Sequence, residues 1–189
     1  MAWTVWICGL PGSGKSTIAR ELEELLEKRG IHAQILSTDA LRKVLTPEPT
    51  YTEKEREMVY AVLVFIAKIL NQNGVNVIID ATANRKAYRE RGKKEIQNLL
   101  IAYVECPLEV CMKREIERRE TYGAPRDIYI RGLTGKSDTV PGLGVAFEVP
   151  ENPDIVLDSV RFTAQENAEK ILKKILSSYY YHLDKNVSV

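Results

Sequence analysis

The sequence has few cysteines, no long apolar run and almost no net charge. Its 3 cysteines lie in or beside apolar segments without metal-ligand spacing, so we expect buried reduced thiols rather than a disulfide or a nucleophile. No run approaches the roughly 18 apolar residues of a membrane span, and the N-terminus lacks a basic region followed by a long apolar one. We therefore expect neither a transmembrane helix nor a signal peptide, and we expect a cytoplasmic protein. Because 27 basic residues nearly cancel 26 acidic ones, we expect neither nucleic acid nor membrane as a partner.

Apolar strand-like segments alternate with helix-like ones along the 189 residues. This alternation is typical of a parallel sheet covered by helices on both faces. The length suits one such domain and is too short for two, so we predict a single α/β domain over residues 1–189. Strands are predicted at about 3–8, 33–37, 75–80, 100–105 and 154–158.

Helical spacing of apolar residues predicts one helix that ends at Gly30 and a longer one that ends near Gly74. Two Thr and Glu pairs have capping-box spacing at the starts of the second and last long helices: Thr52 with Glu55, and Thr163 with Glu166. We interpret these pairs as structural rather than catalytic. The tail from Ser177 to Val189 could extend the last helix, pack against a partner or fray.

A complete P-loop follows the first strand and precedes the first helix. Its glycines let backbone N–H groups face a polyphosphate, while Lys15 reaches the β/γ oxygens and the Ser16 hydroxyl binds Mg²⁺. A glycine-rich turn without a ligand is the alternative, but the flanking strand and helix favour binding of a nucleoside triphosphate with Mg²⁺. The motif comprises Gly9, Leu10, Pro11, Gly12, Ser13, Gly14, Lys15, Ser16 and Thr17.

Two aspartates end predicted strands, at the edge where ligands bind in parallel sheets. Asp39, followed by Arg42, suits a carboxylate that orients or deprotonates an acceptor hydroxyl. Asp80 suits a carboxylate that supports Mg²⁺ through its water shell. Each aspartate could instead be a helix N-cap, which needs no reaction.

The stretch from Arg118 to Gly144 has five Gly and two Pro but no sustained apolar period. A loop this long in a compact domain is usually functional or disordered, so we predict a lid at about 118–144. Arginines near the strand ends could bind an anionic acceptor, and those near the lid could cover the transferred phosphoryl group; solvated surface arginines are the alternative. The first set is Arg42, Arg56, Arg85 and Arg89, and the second is Arg114, Arg118, Arg119, Arg126 and Arg131.

Beyond the P-loop, several stretches resemble the adenylylsulfate kinase (APS kinase) family over nearly the whole chain. They are Asp39 with Arg42, 51–56, 103–111 followed by Arg114, 130–135 and 150–158. The resemblance implies a P-loop kinase-like three-layer fold, and transfer of the γ-phosphoryl group of MgATP to the 3′-hydroxyl of adenosine 5′-phosphosulfate. It implies that Asp39 activates the acceptor, that Arg42 and Arg56 hold its anionic groups, and that Tyr51 stacks on its adenine. It also implies a nucleotide contact by Arg114, an acceptor contact by Arg131 and a homodimer, whose face the apolar positions do not reveal.

The acceptor pocket departs from the family pattern. The chain reads Ser37-Thr38-Asp39-Ala40 where the family has Asp-Gly-Asp-Asn. An aromatic usual near Leu133 is missing, and the resemblance implies that Leu133 contacts the acceptor there. The family's acceptor segment is replaced here by residues 80–85, which places Thr82, Ala83, Asn84 and Arg85 beside the acceptor. A related kinase acting on another nucleotide, a sugar acid or a seryl group is therefore the alternative enzyme. A slow ATP-hydrolysing switch is a third interpretation, although no water-positioning residue is identified.

Overall fold

The structure is a computed structural model that describes residues 2–180. Five strands form one sheet: β1 Thr4–Cys8, β2 Ala33–Ser37, β3 Asn76–Asp80, β4 Leu99–Glu105 and β5 Ile155–Asp158. The helices of the described residues are α1 Lys15–Glu27, α2 Thr38–Leu45, α3 Glu53–Gln72, α4 Lys86–Glu95, α5 Leu108–Glu117, α6 Ile128–Leu133 and α7 Ala164–Tyr179. The element order confirms the α/β class and the five predicted strands.

The strands run in parallel in the order β2-β3-β1-β4-β5. β1 is central, and all five of its residues are buried because helices cover both faces of the sheet. In the register of the sheet, Ile7 lies opposite Asp80, and Ser37 lies opposite Asp80 on the other side. The ends of β1, β2 and β3 therefore meet at one edge, where the P-loop, Asp39 and Asp80 follow.

Two apolar cores lie on the two faces of the sheet, as a three-layer fold requires. On one face α1 and α7 pack on Trp3, Val5 and Ile7, and on the other face α3 and α4 pack on Trp6. Alternate residues of β1 serve opposite cores because strand side chains point to opposite faces in turn.

The two predicted capping boxes have different outcomes. At Thr163 the box is complete, because the Thr163 side chain and the Glu166 side chain each bond the other's backbone N–H. At Thr52 only half forms: the Thr52 hydroxyl accepts from Glu55 N–H, but the Glu55 carboxylate binds Thr50 and Arg42. The predicted box at Thr52 is therefore incomplete, because Arg42 and Thr50 bind the Glu55 carboxylate in place of the Thr52 N–H.

The predicted lid segment contains α6, a short helix that the sequence did not indicate. Tyr129 of α6 is fully buried with Cys106, Cys111 and Val140, and its hydroxyl donates to the Pro11 carbonyl at 2.9 Å. The segment is thus attached to the P-loop by a buried side chain. Its movement as a lid stays a prediction.

The last helix continues into the predicted tail. The Tyr179 hydroxyl donates to the Asn98 carbonyl at 3.0 Å, and Trp3 Nε1 donates to the Tyr180 hydroxyl at 3.3 Å. Within the described residues the tail extends the helix and packs on the domain, while residues 181–189 lie outside the described part. No helix between residues 2 and 180 combines the length and apolar character that a membrane span needs.

Candidate active site

A cavity of about 290 Å³ opens at the edge of the sheet where β1, β2 and β3 end. It is the place where parallel sheets bind ligands. Predicted site residues from four parts of the chain line it: Pro11, Gly12, Gly14, Lys15, Ser16 and Thr17; Asp39, Arg42, Tyr51 and Arg56; Asp80 and Thr82; Arg114 and Arg131. The fold therefore brings the predicted nucleotide and acceptor residues to one cavity.

The P-loop has the tight curvature that its glycines permit. Gly12 has φ 77°, and a Cβ there would collide with the Cys111 carbonyl. Gly14, with φ 99°, is the N-cap residue of α1, so the positive end of the helix faces the cavity. Gly9, Leu10 and Ser13 do not line the cavity, because Gly9 packs on Val104, and Leu10 and Ser13 turn inward.

Lys15 is buried, and its Nζ donates to the Leu10 carbonyl at 2.8 Å. Burial lowers the Lys15 pKa from its usual range, and the carboxylates of Asp80 and Asp39 oppose that shift. The ammonium is therefore held between the loop and two acidic side chains. A β- or γ-phosphate oxygen could replace the Leu10 carbonyl as its acceptor.

Asp39 is not the cap of its helix. The N-cap of α2 is Ser37, whose hydroxyl accepts from Asp39 N–H at 3.1 Å and from Ala40 N–H at 3.4 Å. The Asp39 carboxylate lies in the cavity, where desolvation raises its pKa and the charges of Lys15 and Arg42 oppose the shift. A carboxylate with a raised pKa beside a phosphate-binding lysine suits acceptance of a proton from a hydroxyl.

Asp80 is not a cap either, since α4 begins at Lys86 with Arg85 as its N-cap residue. Desolvation raises the Asp80 pKa, while Lys15 and a hydrogen bond from Ser16 oppose the shift. A hydroxyl and a carboxylate in contact are oxygen ligands that Mg²⁺ accepts, directly or through water. No group of three or more His, Cys, Asp or Glu side chains that could hold a metal occurs in residues 2–180.

Two buried arginines flank the Tyr51 ring. The Arg42 guanidinium lies 4.7 Å from the ring centroid and pairs with Glu55, and the Arg56 guanidinium lies 5.8 Å from it. Arg56 Nε donates to the Tyr51 carbonyl at 2.9 Å, and its Nη2 donates to the Thr139 carbonyl. The three side chains form a cationic wall with one aromatic face, which suits an anionic, aromatic acceptor.

The arginines near the predicted lid differ in their positions. Arg114 lines the cavity and is fixed by Ser159, with Nη1 donating to the hydroxyl at 3.1 Å and Nη2 to the carbonyl at 2.8 Å. Arg118 lines the cavity and binds Glu115 and the Pro125 carbonyl. Arg126 and Arg131 are exposed at its rim, whereas Arg119 lies outside it.

Four predicted acceptor residues lie outside the cavity. Ala83 and Asn84 are buried, and Asn84 Nδ2 donates to the Ala146 carbonyl at 3.1 Å. Arg85 points to the surface and pairs with Glu53, and Leu133 is 60% exposed. These four residues do not line the cavity, and of the 82–85 segment only Thr82 does.

Tyr60, which the sequence did not indicate as a site residue, also lines the cavity. Its hydroxyl accepts from Ala83 N–H at 2.7 Å, and its ring stacks on Tyr88 with centroids 4.2 Å apart. Tyr60 has the helical spacing of a core residue, so its sequence position carries no separate signal of a site.

Comparisons with known proteins show the family of this chain. The family model for adenylylsulphate kinase matches residues 1–158. A probable adenylyl-sulfate kinase of Pyrococcus abyssi is 34% identical over 172 residues, which are 91% of this chain and 94% of that protein. One of Archaeoglobus fulgidus is 36% identical over 159 residues, which are 84% of this chain and 97% of that protein.

Among solved structures, the Mycobacterium tuberculosis APS kinase in complex with AMPPNP and APS is similar with a TM-score of 0.82. It is 26% identical, and the alignment covers 94% of this chain and 98% of that one. The predicted resemblance is thus confirmed in sequence and in fold. The chain belongs to the adenylylsulphate kinase family and is a phosphotransferase that acts on a hydroxyl group.

Proposed function

We propose that the protein transfers the γ-phosphoryl group of MgATP to the 3′-hydroxyl of adenosine 5′-phosphosulfate, giving 3′-phosphoadenylylsulfate. The observation that carries the proposal is the position of Asp39 and Lys15 in one cavity, with the cationic wall of Arg42 and Arg56 beside them. An acceptor hydroxyl and a triphosphate can then approach each other between a carboxylate and an ammonium. Membership of the family supports ATP as the donor.

The P-loop holds the donor by position and charge. Backbone N–H groups and the N-terminal end of α1 face the phosphates, and Lys15 leaves the Leu10 carbonyl to bind the β/γ oxygens. Phosphoryl transfer needs little covalent chemistry from the protein, so this preorganised charge supplies much of the rate enhancement.

Asp39 receives the proton of the attacking hydroxyl. Its pKa, raised by desolvation, makes it a stronger base than an ordinary aspartate, and the charges of Lys15 and Arg42 limit that rise. The Ser37 hydroxyl, rather than the Asp39 carboxylate, accepts the N–H groups at the start of α2. The Asp39 carboxylate is therefore available for the acceptor.

Ser16 and Asp80 would hold Mg²⁺, Ser16 by its hydroxyl and Asp80 through a bound water. When bound, the ion neutralises charge on the β- and γ-oxygens. Asp80 also lies close enough to Lys15 to oppose the lowering of its pKa.

The acceptor lies against Arg42, Tyr51 and Arg56 in this proposal. The arginines bind its phosphosulfate, and the Tyr51 ring stacks on its adenine. Glu55 restrains Arg42 in one orientation, since a fixed guanidinium loses less conformational entropy when an anion binds. Arg114, fixed by Ser159, contacts the nucleotide, and Arg131 closes the rim over the acceptor.

A coupled assay of ADP release with purified adenosine 5′-phosphosulfate tests the proposal, with anion-exchange separation of the 3′-phosphorylated product. We expect acceptor-dependent turnover that requires Mg²⁺. The Arg56→Lys variant should raise the acceptor KM because a lysine cannot bind Tyr51, Thr139 and the acceptor together. Turnover no faster than with water as the acceptor would exclude adenosine 5′-phosphosulfate as the substrate.

A second candidate is a kinase of the same chemistry that acts on another hydroxyl. The observation that favours it is the orientation of the 82–85 segment, whose Ala83, Asn84 and Arg85 side chains turn away from the cavity. A panel of nucleotides, sugar acids and seryl compounds assayed with ATP separates the two. An acceptor with a higher kcat/KM than adenosine 5′-phosphosulfate would reassign the enzyme.

We also propose that the protein forms a homodimer and works in the cytoplasm. Resemblance to the family supports the dimer. The three buried cysteines are free, which suits a compartment that keeps thiols reduced.

A further inference from the structure

Glu115 of α5 is a charged side chain in the interior of the domain, with none of its surface exposed to solvent. Its Oε1 accepts from Arg118 Nη2 at 3.1 Å and from the Ile128 N–H at 3.3 Å. Its Oε2 accepts from the Tyr129 N–H at 3.5 Å. A buried carboxylate is costly unless it is hydrogen-bonded and paired with a cation. Arg118 supplies the positive charge, so the burial of Glu115 depends on where that guanidinium lies.

The same carboxylate joins α5 to the start of α6. Asp127, the N-cap residue of α6, makes no side-chain cap bond, and Glu115 accepts the first two N–H groups of the helix instead. Tyr129 in turn donates its hydroxyl to the Pro11 carbonyl of the P-loop at 2.9 Å. Glu115 therefore fixes the position of Arg118 relative to α6, and through Tyr129 relative to the P-loop.

Arg118 is the C-cap residue of α5 and lines the cavity one turn after Arg114. Its Nη2 donates to Glu115 and to the Pro125 carbonyl. A guanidinium has five N–H donors, and both of these bonds use Nη2. The Arg118 Nε is buried and has no hydrogen-bond partner among residues 2–180. Donors are therefore left for an anion that enters the cavity, and a bond to it would recover the free energy that an unpaired N–H costs.

The charge of Arg118 acts on the proposed base. Desolvation raises the pKa of Asp39, and the charges of Lys15, Arg42 and Arg118 oppose that rise. Lys15 and Arg118 line the same cavity as Asp39 and reach it from the P-loop and from α5. A γ-phosphoryl group beside Asp39 would therefore lie between two cations. During transfer this group carries negative charge on its equatorial oxygens, which a fixed guanidinium stabilises.

From these contacts we propose that Glu115 is a positioning residue, which fixes the Arg118 guanidinium where it binds the transferred phosphoryl group. The inference rests on the phosphoryl transfer proposed above and adds a pair of residues to the same site. In that step the acceptor oxygen bonds to the γ-phosphorus, and the bond from this phosphorus to the β–γ bridging oxygen breaks. ADP leaves, and the hydroxyl proton passes to Asp39. Arg118 binds the γ-oxygens without taking a proton, and Glu115 touches no substrate.

A double-mutant cycle in the ADP-release assay separates positioning from a merely structural role. We expect kcat to fall about 10²-fold in Arg118→Ala and about tenfold in Glu115→Gln, with little change in either KM, because the lost contact strengthens in the transition state. The double variant should be no slower than Arg118→Ala, since Glu115 then has no guanidinium to position. Glu117→Gln, exposed on the same helix, is the matched control and should keep the wild-type kcat.

Two results of the cycle would overturn the inference. They are a normal kcat in Glu115→Gln and a further fall in the double variant, which a merely structural Glu115 would cause. A wild type without acceptor-dependent turnover would instead contradict the proposed function itself. Circular dichroism and thermal midpoints show which variants are folded, and Arg118→Lys, which keeps the charge, replaces Arg118→Ala in the cycle if the alanine variant does not fold.

Chemical rescue tests the contact between the two side chains. Low millimolar guanidinium chloride should restore part of the kcat of Arg118→Ala, because the Glu115 carboxylate and the Pro125 carbonyl can bind the free cation. The double variant Glu115→Gln/Arg118→Ala should not be rescued. Urea, which has a similar shape but no charge, should rescue neither variant. Rescue of the double variant by guanidinium, or none of Arg118→Ala, would contradict the positioning role of Glu115.

Discussion

The guanidinium of Arg89 donates a hydrogen bond to the carbonyl of Ala83, beside the acceptor cavity. Arg89 is buried in α4, and its Nη1 donates to Ala83 while its Nη2 donates to the Glu148 carbonyl at 2.6 Å. Ala83 has φ 49°, a left-handed conformation that is uncommon for a residue other than glycine. Because the Tyr60 hydroxyl accepts the Ala83 N–H, both backbone groups of this residue are fixed by side chains of α3 and α4. The neighbouring Thr82 is thereby held at the wall of the cavity.

Replacement of Arg89 should therefore affect the acceptor more than ATP. In Arg89→Lys the charge remains, but one ammonium cannot bind two carbonyls in the fixed geometry of a guanidinium. We expect the acceptor KM to rise about tenfold with little change in the ATP KM, and stability to fall by about 1–3 kcal/mol for the carbonyl left unpaired. Steady-state kinetics and urea unfolding measure the two effects. Arg85→Lys is the matched control because Arg85 pairs at the surface with Glu53, and equal changes in both variants would contradict the positioning role.

Lys15 supplies the next prediction. Lys15→Ala removes the cation that faces the β- and γ-phosphates, so turnover should fall at least about 10²-fold through lost transition-state stabilisation. The fold should persist, because the hydrogen bond from Lys15 to the Leu10 carbonyl lies within the P-loop and is not part of the sheet. Circular dichroism and the ADP-release assay check the two outcomes. A folded variant with normal activity would show that the P-loop does not work as assigned.

Asp80 should make the stability of the free protein depend on pH. Its folded-state pKa is raised above the unfolded value by desolvation, so the native state keeps a proton that the unfolded state has lost. Stability therefore falls as pH rises from the usual aspartate range through the raised pKa, and is constant above it. Asp80→Asn removes this loss of stability, so the variant should have a higher free energy of unfolding than the wild type at neutral pH.

Urea unfolding of the free protein from acidic to neutral pH measures the Asp80 effect. The gain in Asp80→Asn should vanish at pH values below the usual aspartate pKa, where both states of the wild type are protonated. Glu105→Gln, at the exposed end of β4, is a control that should show no such gain. A gain for Asp80→Asn of equal size at all pH values would indicate a packing effect rather than a titration.

The strands and the P-loop could be predicted from the sequence because their signals are local. A continuous apolar run followed by a glycine-rich turn locates β1 and its loop within one residue of the structure. Helix α6 could not be predicted, because in six residues only Tyr129 is buried and no apolar period forms. The orientation of the 82–85 segment could not be predicted from the sequence either. It depends on the positive φ of Ala83 and on Arg89 and Tyr60, which are distant in the sequence or unremarkable in their spacing.

Ser37 and Asp39 allow the capping and catalytic roles of the α2 N-terminus to be separated. Ser37 accepts the two N–H bonds of the cap, whereas Asp39 lies in the first turn with its carboxylate in the cavity. Ser37→Ala should cost about 1 kcal/mol of stability with a near-normal kcat. Asp39→Asn keeps the size of the side chain and should change stability little, while kcat falls about 10²–10⁴-fold because the proton acceptor is lost.

The pH profile provides the second readout for Asp39. In the wild type kcat should fall toward acidic pH as the Asp39 carboxylate, whose pKa is raised by desolvation, becomes protonated. The residual activity of Asp39→Asn should lack this acidic limb, because the amide does not titrate. Thermal midpoints and kcat measured for both variants across pH distinguish the roles. A normal kcat in Asp39→Asn would exclude Asp39 as the base, and an acidic limb that persists in this variant would assign that titration to another group, with Asp80 in the same cavity the first to examine.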